Sequence, residues 1–166
     1  MDFNQTPTET LFLQMIRRFA EKEVKPLAAE VDELERFPLE TVEKMGKLGL
    51  MGIPVPTKYG GAGGTNQLYS MAVEELSRVC ATTGVILSAH TSLCAAPILE
   101  MGTEEQKQKY LPRLASGEWI GAFGLTEPNA GTDASAQQTM AIADGDSWVL
   151  NGTKIFITNA VYASVY

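Results

Sequence analysis

Residues 103–126, TEEQKQKYLPRLASGEWIGAFGLT, decide the architecture, because a helical pattern ends and an extended one begins inside them. Thr103 can accept from the N–H three residues on while Gln106 reaches back, the reciprocal pairing that opens a helix. That helix is predicted to run through Tyr110 and Leu114 and to stop by Gly117, a residue suited to the left-handed backbone of a helix end. Beyond Gly117 the apolar period falls from 3.6 to 2, so a strand is expected at Trp119–Thr126.

Upstream the pattern is helical throughout. Thr6, Pro7 and Glu9 supply a cap, a first helical residue and the return bond of a capping box. Phe12, Met15, Ile16 and Phe19 follow at helical spacing and line one apolar face. Pro26 cannot donate into that helix, which predicts a break or kink at Lys25 and a second piece from Leu27 to about Leu34. Pro38 starts a third helix with Leu39, Val42, Met45 and Leu48 on one side, stopped near Gly49. Residues 51–64 read as a loop. Helix resumes from Leu68 to about Val79; after an interruption at Thr82-Thr83-Gly84, a long apolar helix reaches Met101 and ends at Gly102.

Downstream, further strands are expected at 139–143, 148–158 and 161–166. Asp144-Gly145 marks one turn, and Asn151-Gly152 between two apolar runs is a strong hairpin signal. The fold class is therefore mainly α: a helical domain over 1–117, followed by the first strands of a β-domain over 118–166. The last run, Val161–Tyr166, begins as a strand with no partner to cover its edge, so the fold is expected to continue beyond it.

Composition excludes several function classes. Hydrophobic residues make up 45% and charged residues 20%, the balance of a globular protein. A net charge of −7 leaves no cationic stripe for a phosphate backbone. Arg17, Arg18, Lys22 and Lys25 alternate with Glu21 and Glu23, as on a solvated helix face. Cys80 and Cys94 are far apart without a CxxC, which suits a reducing, cytoplasmic compartment, and the single His90 has no partner motif for zinc or for a catalytic triad. It is expected to be a helix residue with an ordinary hydrogen bond. The amino terminus, MDFNQTPTET, lacks the basic and apolar regions of a leader. Ser88, His90, Thr91 and Ser92 make the stretch 85–101 too polar to span a bilayer. Gly60–Gly64 follows prolines instead of a buried strand and lacks GK[ST] and GxGxxG, so a phosphate loop is not expected.

Chemistry points to Phe123–Asp133, FGLTEPNAGTD. A loop rich in hydroxyls and acids around Gly131 can present donors to a ligand, or can simply be a well-bonded turn. With Gly152-Thr153-Lys154-Ile155-Phe156-Ile157-Thr158-Asn159 after it, the loop resembles the acyl-CoA dehydrogenase family. So do Phe19–Pro26, Tyr59–Gly63 and Gly102–Leu111, and the likeness covers essentially the whole chain.

That resemblance implies an oxidoreductase of fatty acid β-oxidation: a flavoprotein with FAD that converts an acyl-CoA thioester into a trans-2-enoyl-CoA and passes electrons to an electron-transfer flavoprotein. It implies that Phe123, Leu125 and Thr126 line the flavin, that Thr132 sits between flavin and substrate, and that Phe156, Ile157 and Thr158 form a second flavin-facing segment. Alternation on a strand would place Phe156 and Thr158 on one face and Phe123 and Leu125 on one face. The Ser88–Cys94 stretch resembles the bacterial butyryl-CoA group, which implies a short-chain substrate and an acyl pocket walled by residues 85–98. The family's catalytic glutamate and main tetramer interface lie in regions outside this chain, so no catalytic or metal-binding residue is expected within it. Many relatives carry Trp in place of Phe156 and Ser in place of Thr132. The alternatives are an acyl-CoA oxidase, or a non-catalytic binding or assembly module on the same fold.

Overall fold

A computed structural model describes residues 5–166; Met1–Asn4, part of the stretch read for a leader, lie outside them. Seven α-helices and one β-hairpin are present among the described residues. The helices are α1 (Pro7–Phe19), α2 (Lys25–Glu33), α3 (Leu39–Lys47), α4 (Asn66–Ser77), α5 (Ala81–Ser88), α6 (Ala96–Met101) and α7 (Glu104–Ser116). The hairpin joins β1 (Met140–Asp144) to β2 (Ser147–Asn151).

Local chemistry sets the helix starts. Thr6 and Glu9 close one capping box and Thr103 and Gln106 the other, and Gly117 ends α7 with φ 78°. Pro26 does not break the first helix. The chain instead widens into a π-helical turn over Ala20–Val24, with the Lys25 N–H donating to the Ala20 carbonyl, so the helix continues past a residue that has no N–H to give. A second π-helical stretch, Ala89–Ala95, joins α5 to α6.

Nor does Thr82-Thr83-Gly84 interrupt a helix; all three lie inside α5, whose start follows the extended Cys80. Gly84 is there because α4 crosses at contact distance: a Cβ on it would fall 1.9 Å from Ser77 Oγ and 3.0 Å from Ser77 Cβ. Gly84→Ala is expected to cost about 1–3 kcal/mol through overpacking. Adding Ser77→Ala should recover part of that loss in thermal unfolding, and a strictly additive double variant would show that the two residues do not compete for the same space.

The main core gathers Leu13, Ile16 and Phe19 from α1, Val42 and Met45 from α3, Leu76 from α4, and Ile86 and Leu87 from α5. A second cluster places Leu111, Leu114 and Ala115 of α7 against Val55 and Tyr59. The expected face of α1 is turned slightly: Leu13 is buried, while Phe12 and Met15 are half-buried. The basic run near α1 is more than a solvated face, because Arg17 pairs with the buried Glu75 at 2.6 Å and Glu21 takes both Lys25 and Arg78.

The glycine run packs as structure. The N–H groups of Gly60, Gly61, Ala62, Gly63 and Gly64 all donate to carbonyls between Gly52 and Thr57, which leaves none for a phosphate. The helical stretch Ala81–Met101 is, by length and composition alone, apolar enough to cross a membrane, which corrects the expectation drawn from its four polar residues. Half of its most apolar 18-residue window is buried within the fold, where it serves as the central helix of the bundle.

The β-region departs most from expectation. β1 and β2 pair antiparallel from Met140↔Asn151 to Asp144↔Ser147, so the turn is Gly145-Asp146. Asn151-Gly152 makes no second hairpin, and residues 153–158 form no strand. Residues 119–126 and 161–166 contribute one parallel bridge, Gly121↔Val165, instead of two strands. The reason is physical: a strand exists only through a partner's ladder, and periodicity cannot report whether that partner is present.

Candidate functional site

The site is built where the chain leaves α7 and runs back along the central helix. Gly121 packs directly on that helix, since a Cβ there would lie 2.5 Å from Cys94 Cβ. Its N–H donates to His90 Nδ1 at 3.0 Å, which leaves the proton on Nε2 to reach the Leu114 carbonyl at 3.1 Å. His90 is fully buried, and burial lowers its pKa to about 4, so the ring is neutral. From the other side Asn159 Nδ2 donates to the carbonyls of Gly121 (3.1 Å) and Ile86 (3.2 Å). Gly121 is therefore held at both N–H and C=O. The segment that follows it, Phe123–Thr126, is fixed relative to the helix without belonging to a sheet.

Beside that segment lies a cavity of about 260 Å³ lined by Phe123, Leu125 and Thr126, by Phe156, Ile157 and Thr158, and by Ala89 and Leu93 of the central helix. Six of the seven residues expected from the resemblance converge here. Phe123 and Leu125 are 44% and 41% exposed, and Phe156 is 89% exposed. Three large apolar side chains thus face open space beside two hydroxyls. Among the described residues no titratable side chain lines the cavity.

Thr132, the seventh, is not brought to this cavity; it lies in an exposed bend of the loop after Ala130. The strand alternation expected for Phe156 and Thr158 does not hold either. Phe156 has a left-handed backbone, φ 57°, and Ile157 lines the cavity between its neighbours. The two outer residues meet the cavity through a turn of the chain and not through a pleat.

The acids of the loop are occupied elsewhere. Glu127 is buried and accepts from Lys154 Nζ at 2.8 Å and from the Gln138 and Thr139 N–H groups. Lys154 first, then Thr139 and Gln138, hold its carboxyl down at about 2. Asp133 accepts from Ser135 Oγ. His90, Glu127, Lys154 and Asn159 were not singled out as site-building residues by sequence, because each works through a partner 20 or more residues away or through backbone atoms, which no spacing pattern records.

A second and larger cavity, about 820 Å³, adjoins the first through Ile157 and Thr158 and is walled by Val85 and Ile86, with Phe37 stacked on Tyr162 at a 4.2 Å centroid distance. The stretch 85–98 thus borders both cavities, the smaller one through Ala89 and Leu93. Among the described residues no group of three or more His, Cys, Asp or Glu side chains is arranged to hold a metal ion.

The helical bundle thus leads into a β-region, with an apolar cavity at their junction. The chain belongs to the acyl-CoA dehydrogenase family: residues 6–118 match its N-terminal domain and residues 122–166 its middle domain. A short-chain specific acyl-CoA dehydrogenase of Clostridium acetobutylicum is 66% identical over 166 residues, 100% of this chain and 44% of that protein. The butyryl-CoA dehydrogenase structure from Megasphaera elsdenii superposes with a TM-score of 0.93 at 47% identity, over 98% of this chain and 44% of that one. A structure described under the electron transferring flavoprotein of Acidaminococcus fermentans gives 0.94 at 53% identity, over 98% and 43%. The chain spans less than half the length of these relatives.

Proposed function

We propose that the protein containing this chain carries out FAD-dependent α,β-dehydrogenation of a short-chain acyl-CoA thioester to the trans-2-enoyl-CoA, with an electron-transfer flavoprotein as electron acceptor. The observation that carries the reading is the convergence of Phe123, Leu125, Thr126, Phe156, Ile157 and Thr158 on one cavity. Its chemistry fits a flavin ring, since apolar walls suit the faces of a flat heterocycle and two hydroxyls suit its heteroatom edge. A cavity of about 260 Å³ takes a ring and not a whole dinucleotide, so these residues form one part of a larger FAD site.

When bound, FAD would supply the hydride acceptor that the dehydrogenation needs. This chain's residues would do the rest of the local work. Phe123, Leu125 and Phe156 would exclude water from the ring, and Thr126 and Thr158 would offer fixed hydroxyl donors where charge accumulates on reduction. Thr132 would lie at the boundary of cofactor and substrate. Ala89 and Leu93, with Val85 and Ile86 next door, would wall the space for a short acyl chain.

The base that takes the α-proton is assigned outside this chain. Among the described residues the cavity lining holds no acid, and Glu127, with its carboxyl held at about 2 and three donors on its oxygens, is too weak a base. Tetramer formation is assigned to the same outside region by the family resemblance.

The full-length protein, purified, should carry a flavin absorbance that butyryl-CoA bleaches with formation of trans-2-enoyl-CoA. Absence of flavin binding, or preference for long or branched acyl groups, would overturn the corresponding part of the reading. The 166-residue chain alone, mixed with FAD, butyryl-CoA and an artificial acceptor, should give no enoyl-CoA; turnover would refute the placement of the base.

A further inference from the structure

The two segments that line the smaller cavity are separated by some thirty residues and share no strand ladder, yet they lie side by side. Lys154 spans them. Its stem passes over Gly124, where a Cβ would meet Lys154 Cγ at 3.4 Å, and its ammonium donates to the Leu125 carbonyl at 2.9 Å and to Glu127 Oε1 at 2.8 Å. The next residue, Ile155, donates its N–H to the Thr126 carbonyl at 2.9 Å. Glu127 uses its other capacity on the Gln138 N–H (2.6 Å, to Oε2) and the Thr139 N–H (3.0 Å, to Oε1), at the entry to β1. The Leu125 carbonyl takes a further bond from Gln137 Nε2 at 2.6 Å.

We propose that Lys154 and Glu127 are positioning residues that lock the Phe123–Thr126 and Phe156–Thr158 segments into the register that forms the flavin-ring cavity. This rests on the flavin reading given above. The pair is sheltered, with side-chain exposures of 26% for Lys154 and 6% for Glu127, so its bonds are not traded freely for water. Each contact also has a geometric consequence. Leu125 and Thr126 face the cavity with their side chains while their carbonyls are spent on Lys154 and Ile155, and Lys154 stands two residues before Phe156. Pulling the ammonium away would leave the Leu125 carbonyl with Gln137 alone and would leave a buried carboxylate without its counter-charge. Among the described residues neither segment has a neighbouring strand to restore its place. The low carboxyl pKa of Glu127 adds that this carboxylate stays ionised across the working range of an enzyme.

The test uses the full-length protein and three variants. Lys154→Met keeps the stem and removes the charge, Glu127→Gln keeps the shape and removes the charge, and Lys154→Arg keeps both charge and reach. FAD affinity is measured by titrating the apo-protein, and amide hydrogen exchange is followed on the same apo-protein. Lys154→Met and Glu127→Gln should each weaken FAD binding roughly ten-fold, the scale of one lost charge-assisted hydrogen bond. The double variant should be little worse than either single one, because both remove the same contact. Lys154→Arg should retain most of the affinity. The amides of Gln138, Thr139 and Ile155 should exchange faster in the first two variants, while those of α1 and α4 stay as protected as before.

Unchanged FAD affinity in both single variants would overturn the proposal. So would fully additive losses, a Lys154→Arg loss equal to that of Lys154→Met, or an equal loss of protection across the helical bundle, which would mark a general stability role. If Lys154→Met does not fold, Glu127→Gln and Lys154→Arg give the same decision. If the wild-type protein binds no FAD, the functional reading fails by itself, and the exchange data still decide whether the pair holds the segments together.

Discussion

Replacing Thr158 by Val in the full-length protein is expected to slow reduction of the flavin by acyl-CoA about a hundredfold, with the fold intact. The side chain keeps its branched shape, so packing at the cavity is conserved while one hydroxyl donor is lost. Removal of a single preorganised donor aimed at developing charge costs roughly 3 kcal/mol in the affected step, which corresponds to about two powers of ten. Thr158 suits that role because it lines the small cavity beside Phe156 and also faces the larger cavity through which Val85 and Ile86 are reached. Rapid-mixing absorbance of the reductive half-reaction is the measurement. An unchanged rate at unchanged thermal stability would make Thr158 a lining residue and nothing more.

The second large effect concerns His90. Substitution by Leu should destabilise the protein by about 3 kcal/mol, because the Gly121 N–H would be left buried and unpaired, while the Leu114 carbonyl would keep only its bond from the Gly117 N–H. A pH signature accompanies it. The unfolded chain takes up a proton at this ring with a pKa near 6.5, whereas the folded chain resists until about 4. Within that window the unfolded state binds more protons, so stability is complete above pH 6.5 and is lost as pH falls toward 4. The full loss is about 3 kcal/mol, of which about 2 is gone by pH 5. Denaturant midpoints at pH 7.5 and pH 5 should therefore differ for the wild type and much less for His90→Leu. Equal shifts in the two proteins would show that other groups, the ion-paired carboxylates among them, carry the acid response.

Much of the helical part was legible because its signals are local. Thr6 with Glu9 and Thr103 with Gln106 bond within one turn, and Gly117 ends α7 by its own backbone freedom. At Pro26 and Gly84 the opposite holds: the break or kink expected at Lys25 takes the form of a π-turn ahead of α2, and Gly84 does not interrupt its helix. Whether a proline breaks a helix or is absorbed by a π-turn, and whether a glycine interrupts a helix or lets another cross it, depends on what lies alongside. The β-region was legible only at Asp144-Gly145, where two adjacent segments pair through the shortest connection. The segments 119–126, 153–158 and 161–166 carry strand-like residues but lack the ladders that would make them strands.

By itself, then, the sequence determined the helix caps, the burial of Ile16 and Phe19 on α1 and of Val42 and Met45 on α3, the change of period after Gly117 and the family, since each is carried by residues close together or by motifs read in order. Tertiary structure alone decided which side of each segment faces the cavity. Phe156 reaches it through a left-handed turn, Ile157 joins it against the alternation, and Thr132 stands apart from it. It also decided the roles of His90, Asn159, Glu127 and Lys154, all of which act on atoms distant in sequence. The physical reason is common to all of these: a hydrogen bond to a remote carbonyl or carboxylate exists only once packing has brought the two atoms within about 3 Å, and residue type and spacing do not encode that encounter.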